Sequence, residues 1–334
     1  MLCVFSHEKS IFMNNIKLTL LSSSLLIIAI LSLIVGASDI SISQISTTLL
    51  SGGEFDFTIN QYRLPRIILA IGVGAGLGLS GMLVQGVIRN PLASPDLMGI
   101  SAGAGLAATT LLVMFPQAPT HYLPLAALVG GFAAAGMILL VSYKIQPTAA
   151  RLALIGIAIS AFLSSFIDFL MVVHPIEINT AMVWLTGSLW GRNWEQVPFI
   201  WITLAIMVPF SCWLAWRLDV MGLGEDSATS LGIKPQRIKL LSLISAVILA
   251  SVSVSVCGTI SFVGLLAPHL ARMLFGHNHK LLVPSAALLG ALMVLVSDTL
   301  ARGIHPPLEL PAGVLTSLIG APYFIFLLQR YKGW

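Results

Sequence analysis

Ten apolar stretches, each bounded by charged or proline-rich breaks, divide the chain: Leu18–Ala37, Ile67–Ile88, Leu97–Phe115, Tyr122–Tyr143, Leu152–Val173, Val197–Trp216, Ile238–Gly258, Thr259–Phe275, Leu281–Leu300 and Pro311–Leu328. A helix crossing ~30 Å of hydrocarbon needs about 20 such residues, so each stretch predicts one membrane span. The eighth is the shortest, and Pro268 and His269 interrupt it. An even number of crossings places both termini on one side. The first stretch is preceded by Lys9 and Lys17 in the manner of a signal peptide, with Met13 as an alternative start. Its apolar core exceeds the usual ~7–15 residues, so it is read as a retained span. The predicted fold class is an all-α polytopic membrane protein of about ten transmembrane helices. It forms a single transmembrane domain over residues 1–334, with a tail at 1–17 and a long loop at 217–239.

Composition agrees with a bilayer setting. Of the 334 residues, 57% are hydrophobic and 9% charged, too few polar groups to cover a soluble globule. The formal charge of +4 would suit nucleic acid in a soluble protein, but here the cations sit between apolar runs and read as topology signals, which argues against a nucleic-acid partner. With both termini cytoplasmic, Lys9, Lys17, Arg89, Lys144, Arg151, Arg217, Lys234, Arg237, Lys239, Arg272, Lys280, Arg330 and Lys332 also fall inside. Only Arg63, Arg66, Arg192 and Arg302 lie outside, and the skew sets the orientation.

The pair Arg63 and Arg66 in "RLPR" stands against that bias. Pro65 between them suits a first helical turn, giving a stiff helix entry. Two readings stand side by side. The arginines anchor the span at the headgroups or pair with Glu54 and Asp56, or they face the aqueous side to receive an acidic partner.

Other motifs add detail. Gly72 and Gly76, and Gly74 and Gly78, are spaced four apart, which predicts close helix packing. "GLSG" at residues 78–81 matches the serine motif of intramembrane proteases and makes Ser80 a catalytic candidate, but the spans offer no placed histidine other than His269. In "RNPLASPDLMG", Ser94, Pro95 and Asp96 predict a helix start. Asp298 and Arg302 are four apart, in the favourable order for a helical ion pair, and with Asp168 they are the candidates for a proton relay. The loop "RLDVMGLGEDSATSLGIKPQRIK" predicts two short helices, one from Glu225 to a stop at Gly232 and one starting at Pro235, forming a knob that docks another protein. Cys3, Cys212 and Cys257 offer neither a disulfide framework nor metal spacing. There is no phosphate loop and no HExxH, so no catalytic residue, metal or cofactor is expected, and any nucleotide hydrolysis falls to another chain.

Four ordered motifs, "RLPRIILAIGVGAGLGLSGMLVQGVIRNPLASPDLMGISAGAG", "LGEDSATSLGI", "GTISFVGLLAPHLARMLFG" and "SDTLARGIHPPLELPAGVLTSLIGAP", resemble the FecCD family from about Gln61 to the C-terminus. These are permease subunits of ABC importers for iron-siderophore complexes, haem and vitamin B12. The resemblance implies a vitamin B12 transporter-like (type II ABC importer) fold in the bacterial inner membrane. It implies alternating access by two permease subunits, two cytoplasmic ATPases and a periplasmic substrate-binding protein. On this resemblance Arg63, Arg66 and Arg302 meet the binding protein; Glu225, Asp226, Ser227, Ala228, Leu231 and Gly232 enter the ATPase cleft; and Thr148, Ala149 and Ala150 fall at the cytoplasmic gate. "WLTGSLWGRNW" and "IHPPLELP" look most like ferric-dicitrate importers, which implies a heterodimer and an iron-complex cargo. A proton-coupled secondary transporter built on Asp168 and Asp298 is the alternative.

Overall fold

A computed structural model describes residues 2–36, 38, 40–119, 121–145, 149–175 and 178–330. Thirteen α-helices account for most of them: α1 (Leu2–Ile34), α2 (Ile42–Ser51), α3 (Leu64–Ile88), α4 (Ile100–Met114), α5 (Tyr122–Ile145), α6 (Ala149–Val173), α7 (Ile178–Leu185), α8 (Val197–Gly222), α9 (Glu225–Ser230), α10 (Pro235–Cys257), α11 (Val263–Phe275), α12 (His279–Gly303) and α13 (Ala312–Arg330). Among the described residues, seven helices are long and apolar enough to cross a membrane, and Ile100–Met114, Val263–Phe275 and Ala312–Leu327 are shorter apolar helices. Together these fall on the ten predicted stretches. Helices satisfy every backbone group internally except at their ends, which is why a spanning chain adopts them.

Helix α3 is the axis of the bundle. Over its most apolar window 83% of residues are buried, against 78% for α10, 61% for α12 and 6% for α1. Hydrocarbon supplies no hydrophobic push between helices, so close backbone approach has to do the work. A Cβ on Gly74 would overlap the Gly290 carbonyl, and one on Gly290 would overlap the Gly74 carbonyl, so α3 and α12 cross at two glycines. Ser80, buried completely, donates to the Ala246 carbonyl of α10 at 2.6 Å. The protease-like serine is therefore glue between helices.

Two expected helix boundaries are corrected. The start predicted at Ser94–Pro95 is a 3-10 turn over Asp96–Met98; α4 begins at Ile100, after Gly99 turns left-handed with φ 67°. Asp96 instead accepts a 2.5 Å hydrogen bond from the Ser101 hydroxyl. The second short helix expected after Gly232 does not exist separately, because Pro235 opens α10, which continues unbroken to Cys257. Proline suits a first turn, and nothing in the apolar run that follows stops the helix.

Candidate functional site

Helix α1 ends at Ile34 with no basic residue in its last turn, and Gly36 just beyond does not turn left-handed. A helix terminus leaves about four carbonyls unpaired, and inside a bundle these need donors. Two arginines from elsewhere supply them. Arg63, at the end of a π-helical turn over Phe57–Arg63, donates to the carbonyls of Leu33 (2.6 Å), Ile34 (3.0 Å) and Ser38 (2.8 Å). Arg302, in the last turn of α12, donates to the carbonyls of Ser32 and Val35, both at 3.2 Å, and to the Ser32 hydroxyl. Positive charge at a helix C-terminus also meets the negative end of its dipole.

Arg66 completes the cluster. Its Nε lies 2.9 Å from Asp298 Oδ1, its Nη2 lies 2.8 Å from the same oxygen, and its Nη1 reaches Glu309 at 2.5 Å and the Tyr62 hydroxyl at 3.1 Å. Asp298 also stands 3.3 Å from Arg302 Nε, in the i,i+4 relation the sequence predicts. That second contact is an ion pair without hydrogen-bond alignment, since Arg302 Nε has no hydrogen-bond partner. Tyr62 in turn donates to Glu309 at 2.9 Å. The network joins α1, α3, α12 and the turn at residues 304–310.

Arg63, Arg66 and Arg302 are only 2%, 1% and 1% exposed. All three are turned inward, toward the end of α1 and Asp298. The physical reason is that α1 and Asp298 need donors, and a desolvated guanidinium without partners would cost far more than a paired one. Arg66 takes Asp298 and Glu309 and not Glu54 or Asp56; Asp56 accepts instead from Asn60 at 2.7 Å. Reasoning along the sequence missed the Arg63 and Arg302 caps. The signal for them was α1 itself, whose uncapped end called for outside donors.

The relay candidates do not meet. Asp298 is locked between two arginines, whereas Asp168 is exposed on α6 with no ion pair among the described residues. Thr148 and the side chains of Ala149 and Ala150 lie outside the described residues. Cys212 and Cys257 are both free, the first exposed and the second buried.

At the opposite end of the bundle, α9 is a compact turn held by a Schellman motif. Gly232 at φ 81° donates to Thr229 O, Ile233 donates to Ala228 O, and buried Ala228 and Ile233 supply the apolar contact that usually accompanies it. Glu225 pairs with Lys239 of α10 at 2.6 Å. That hydrogen bond holds the Glu225 carboxyl below the usual glutamate range despite slight burial. Glu225, Asp226, Ser227, Leu231 and Gly232 are exposed and Ala228 is the anchor, so these six residues form one surface turn. Leu223 and Leu231, 72% and 64% exposed, flank it.

A third feature was not anticipated. An open groove of about 530 Å³ is lined by residues of α7 and α13 and the break between α10 and α11, with the hydroxyls of Thr186, Thr259, Ser261 and Ser317 on an otherwise apolar wall. Gly313 closes its floor, donating to the Gly187 carbonyl at 2.9 Å, where a Cβ would overlap Thr186 O. Phe262, next in the chain to the lining Ser261, has φ 68°, a left-handed conformation that costs a bulky residue roughly 1–2 kcal/mol.

A model of the FecCD transport family matches residues 24–330. The Fe(3+)-citrate import system permease protein YfmE of Bacillus subtilis is 47% identical over 317 residues, 94% of this chain and 95% of that protein. The Fe(3+) dicitrate transport system permease protein FecD of Escherichia coli is 43% identical over 304 residues, 91% of this chain and 95% of that protein. Among solved structures, an inward-facing metal-chelate type ABC transporter superposes with a TM-score of 0.84 at 34% identity, covering 95% of this chain and 98% of that one.

Proposed function

The chain belongs to the FecCD transport family, and on that premise we propose that it is one permease subunit of a binding-protein-dependent ABC importer carrying anionic iron chelates, ferric dicitrate foremost, across the bacterial inner membrane. Near full-length identity to two permeases whose names both specify iron and citrate carries this reading. The charge bias of the loops orients it, with both termini and α9 in the cytoplasm and the arginine cluster at the periplasmic end.

Four partners follow. The α9 knob, with exposed Leu223 and Leu231 beyond the end of a span, is the surface offered to one of two cytoplasmic ATPases. The periplasmic binding protein lands on the turn 304–310 and the loop before α8, which Arg63, Arg66 and Arg302 hold in place from beneath. A second permease subunit covers the face of α6, α7 and α13, where Asp168 is exposed along a span; a carboxylate turned to hydrocarbon costs about 2.5–3.5 kcal/mol at the bilayer centre, so protein or water is its expected neighbour. Between the two subunits the hydroxyl-lined groove becomes one wall of the cargo path. The gate stays assigned to Thr148, Ala149 and Ala150.

Uptake of radiolabelled ferric dicitrate by the complete complex in proteoliposomes tests the reading. ATP-dependent accumulation that needs the binding protein is the expected result, and uptake that follows a proton gradient without ATP would overturn it in favour of the secondary transporter.

A further inference from the structure

Four arginines lie at the periplasmic end, and three of them, Arg63, Arg66 and Arg302, hold carbonyls or carboxylates of the chain. The fourth differs. Arg192 follows Gly191, which turns left-handed at φ 71°, in the loop between α7 and α8. Its guanidinium makes no hydrogen bond or ion pair among the described residues, and its Nε is buried without a partner. Burial lowers its pKa, and no carboxylate opposes that shift. A partly buried cation with no anion beside it loses hydration that nothing else in the chain replaces.

The loop that carries it is held rigidly. Ser188 N donates to the Cys257 carbonyl at 2.8 Å, Trp190 N to Ser188 Oγ at 3.1 Å, and Arg192 N to the Leu189 carbonyl at 3.2 Å. Just beyond, Asn193 and Gln196 form a capping box, and Trp194 Nε1 donates to Asn60 O at 2.7 Å. The same loop forms the groove's rim: Thr186 lines the groove, Gly187 receives Gly313 N, and Cys257 lies two residues before Thr259. Arg192 thus stands six residues beyond Thr186 on the loop that leaves a groove whose own wall carries hydroxyls and no charge.

We propose that Arg192 is the charge-selecting residue of the cargo path, an uncompensated guanidinium that draws the carboxylate face of an incoming metal chelate toward the groove. The inference rests on the reading of this groove as the path. Its partial burial suits a small anion that enters the groove better than the acidic side chain of a protein landing across the surface. A single charge in a low-dielectric cleft biases the approach of anions by roughly 10-fold.

Two measurements on the complete complex in proteoliposomes test it. In a chain with Cys3 and Cys212 replaced by serine and buried Cys257 retained, Ser317→Cys places a thiol in the groove. It should react roughly 10-fold faster with an anionic methanethiosulfonate reagent than with its cationic counterpart, after correction for intrinsic reactivity. Arg192→Gln should abolish that preference and Arg192→Lys restore it. An unchanged ratio in Arg192→Gln overturns the proposal. In the second measurement, Arg192→Gln should reduce ferric dicitrate uptake several-fold and Arg192→Lys should retain it. Full uptake in that variant overturns the proposal as well. If the unmodified complex takes up no ferric dicitrate, the cargo assignment falls, and the thiol ratio still decides for or against Arg192.

Discussion

Replacing Asp298 with alanine is the most direct perturbation of the arginine cluster. The carboxylate is fully buried, 2.8 Å from Arg66 and 3.3 Å from Arg302. Without it, Arg302 keeps only the neutral acceptors at the end of α1, and Arg66 keeps Glu309, whose side chain is 15% exposed. Breaking a buried pair by removing one partner costs about 3–5 kcal/mol, because the other charge stays desolvated. That is roughly two to four orders of magnitude in a folding equilibrium. The assay is the thermal inactivation midpoint of the detergent-purified complex, read beside the amount of chain in the membrane. Asp298→Ala should lower both sharply. Combining Asp298→Leu with Arg302→Met removes one charge of each sign and leaves Arg66 on Glu309, so the double variant should be milder than the sum of its parts by about 0.5–3 kcal/mol. Additivity within ~0.5 kcal/mol, or a single-variant cost below ~1 kcal/mol, would refute the claim that a buried network holds this end together.

Three further outcomes follow from the same geometry. Reversing Arg63 and Arg66 to glutamate should deplete the folded chain from the membrane at any salt concentration; a salt-sensitive loss of binding-protein affinity with normal chain levels would favour the exposed-docking reading. Gly232→Val forces a β-branched residue to φ 81° and should cost more than 1–2 kcal/mol locally, releasing the ATPases while leaving insertion intact, as co-purification would report. The Glu225 pKa is lowered in the fold by Lys239, so the pair stabilises above the ordinary glutamate value of 4.5 and is lost as pH falls through the depressed one. Protease resistance of the α9 loop should follow that fall, and Lys239→Met should lower the resistance at neutral pH and flatten its dependence on pH.

The apolar stretches were legible along the chain because a bilayer imposes a length and a composition that no neighbour can override. The same holds for the cationic bias of the loops and for the Glu225 to Gly232 turn, whose acidic start and glycine stop act within a few residues. Even the Asp298–Arg302 pair could be read, since both members share one helix. What could not be read was the company that Arg63, Arg66 and Arg192 keep. Arg66 meets Asp298 and Glu309 across separations of 232 and 243 residues, and Arg63 finds the end of α1 some 30 residues upstream. A guanidinium looks the same in sequence whether it faces water, caps a helix or stands unpaired beside a groove. Only the packing of α1, α3 and α12 decided that Arg63, Arg66 and Arg302 are consumed within the fold, because burial and distance, not residue type, set the energy of a charge.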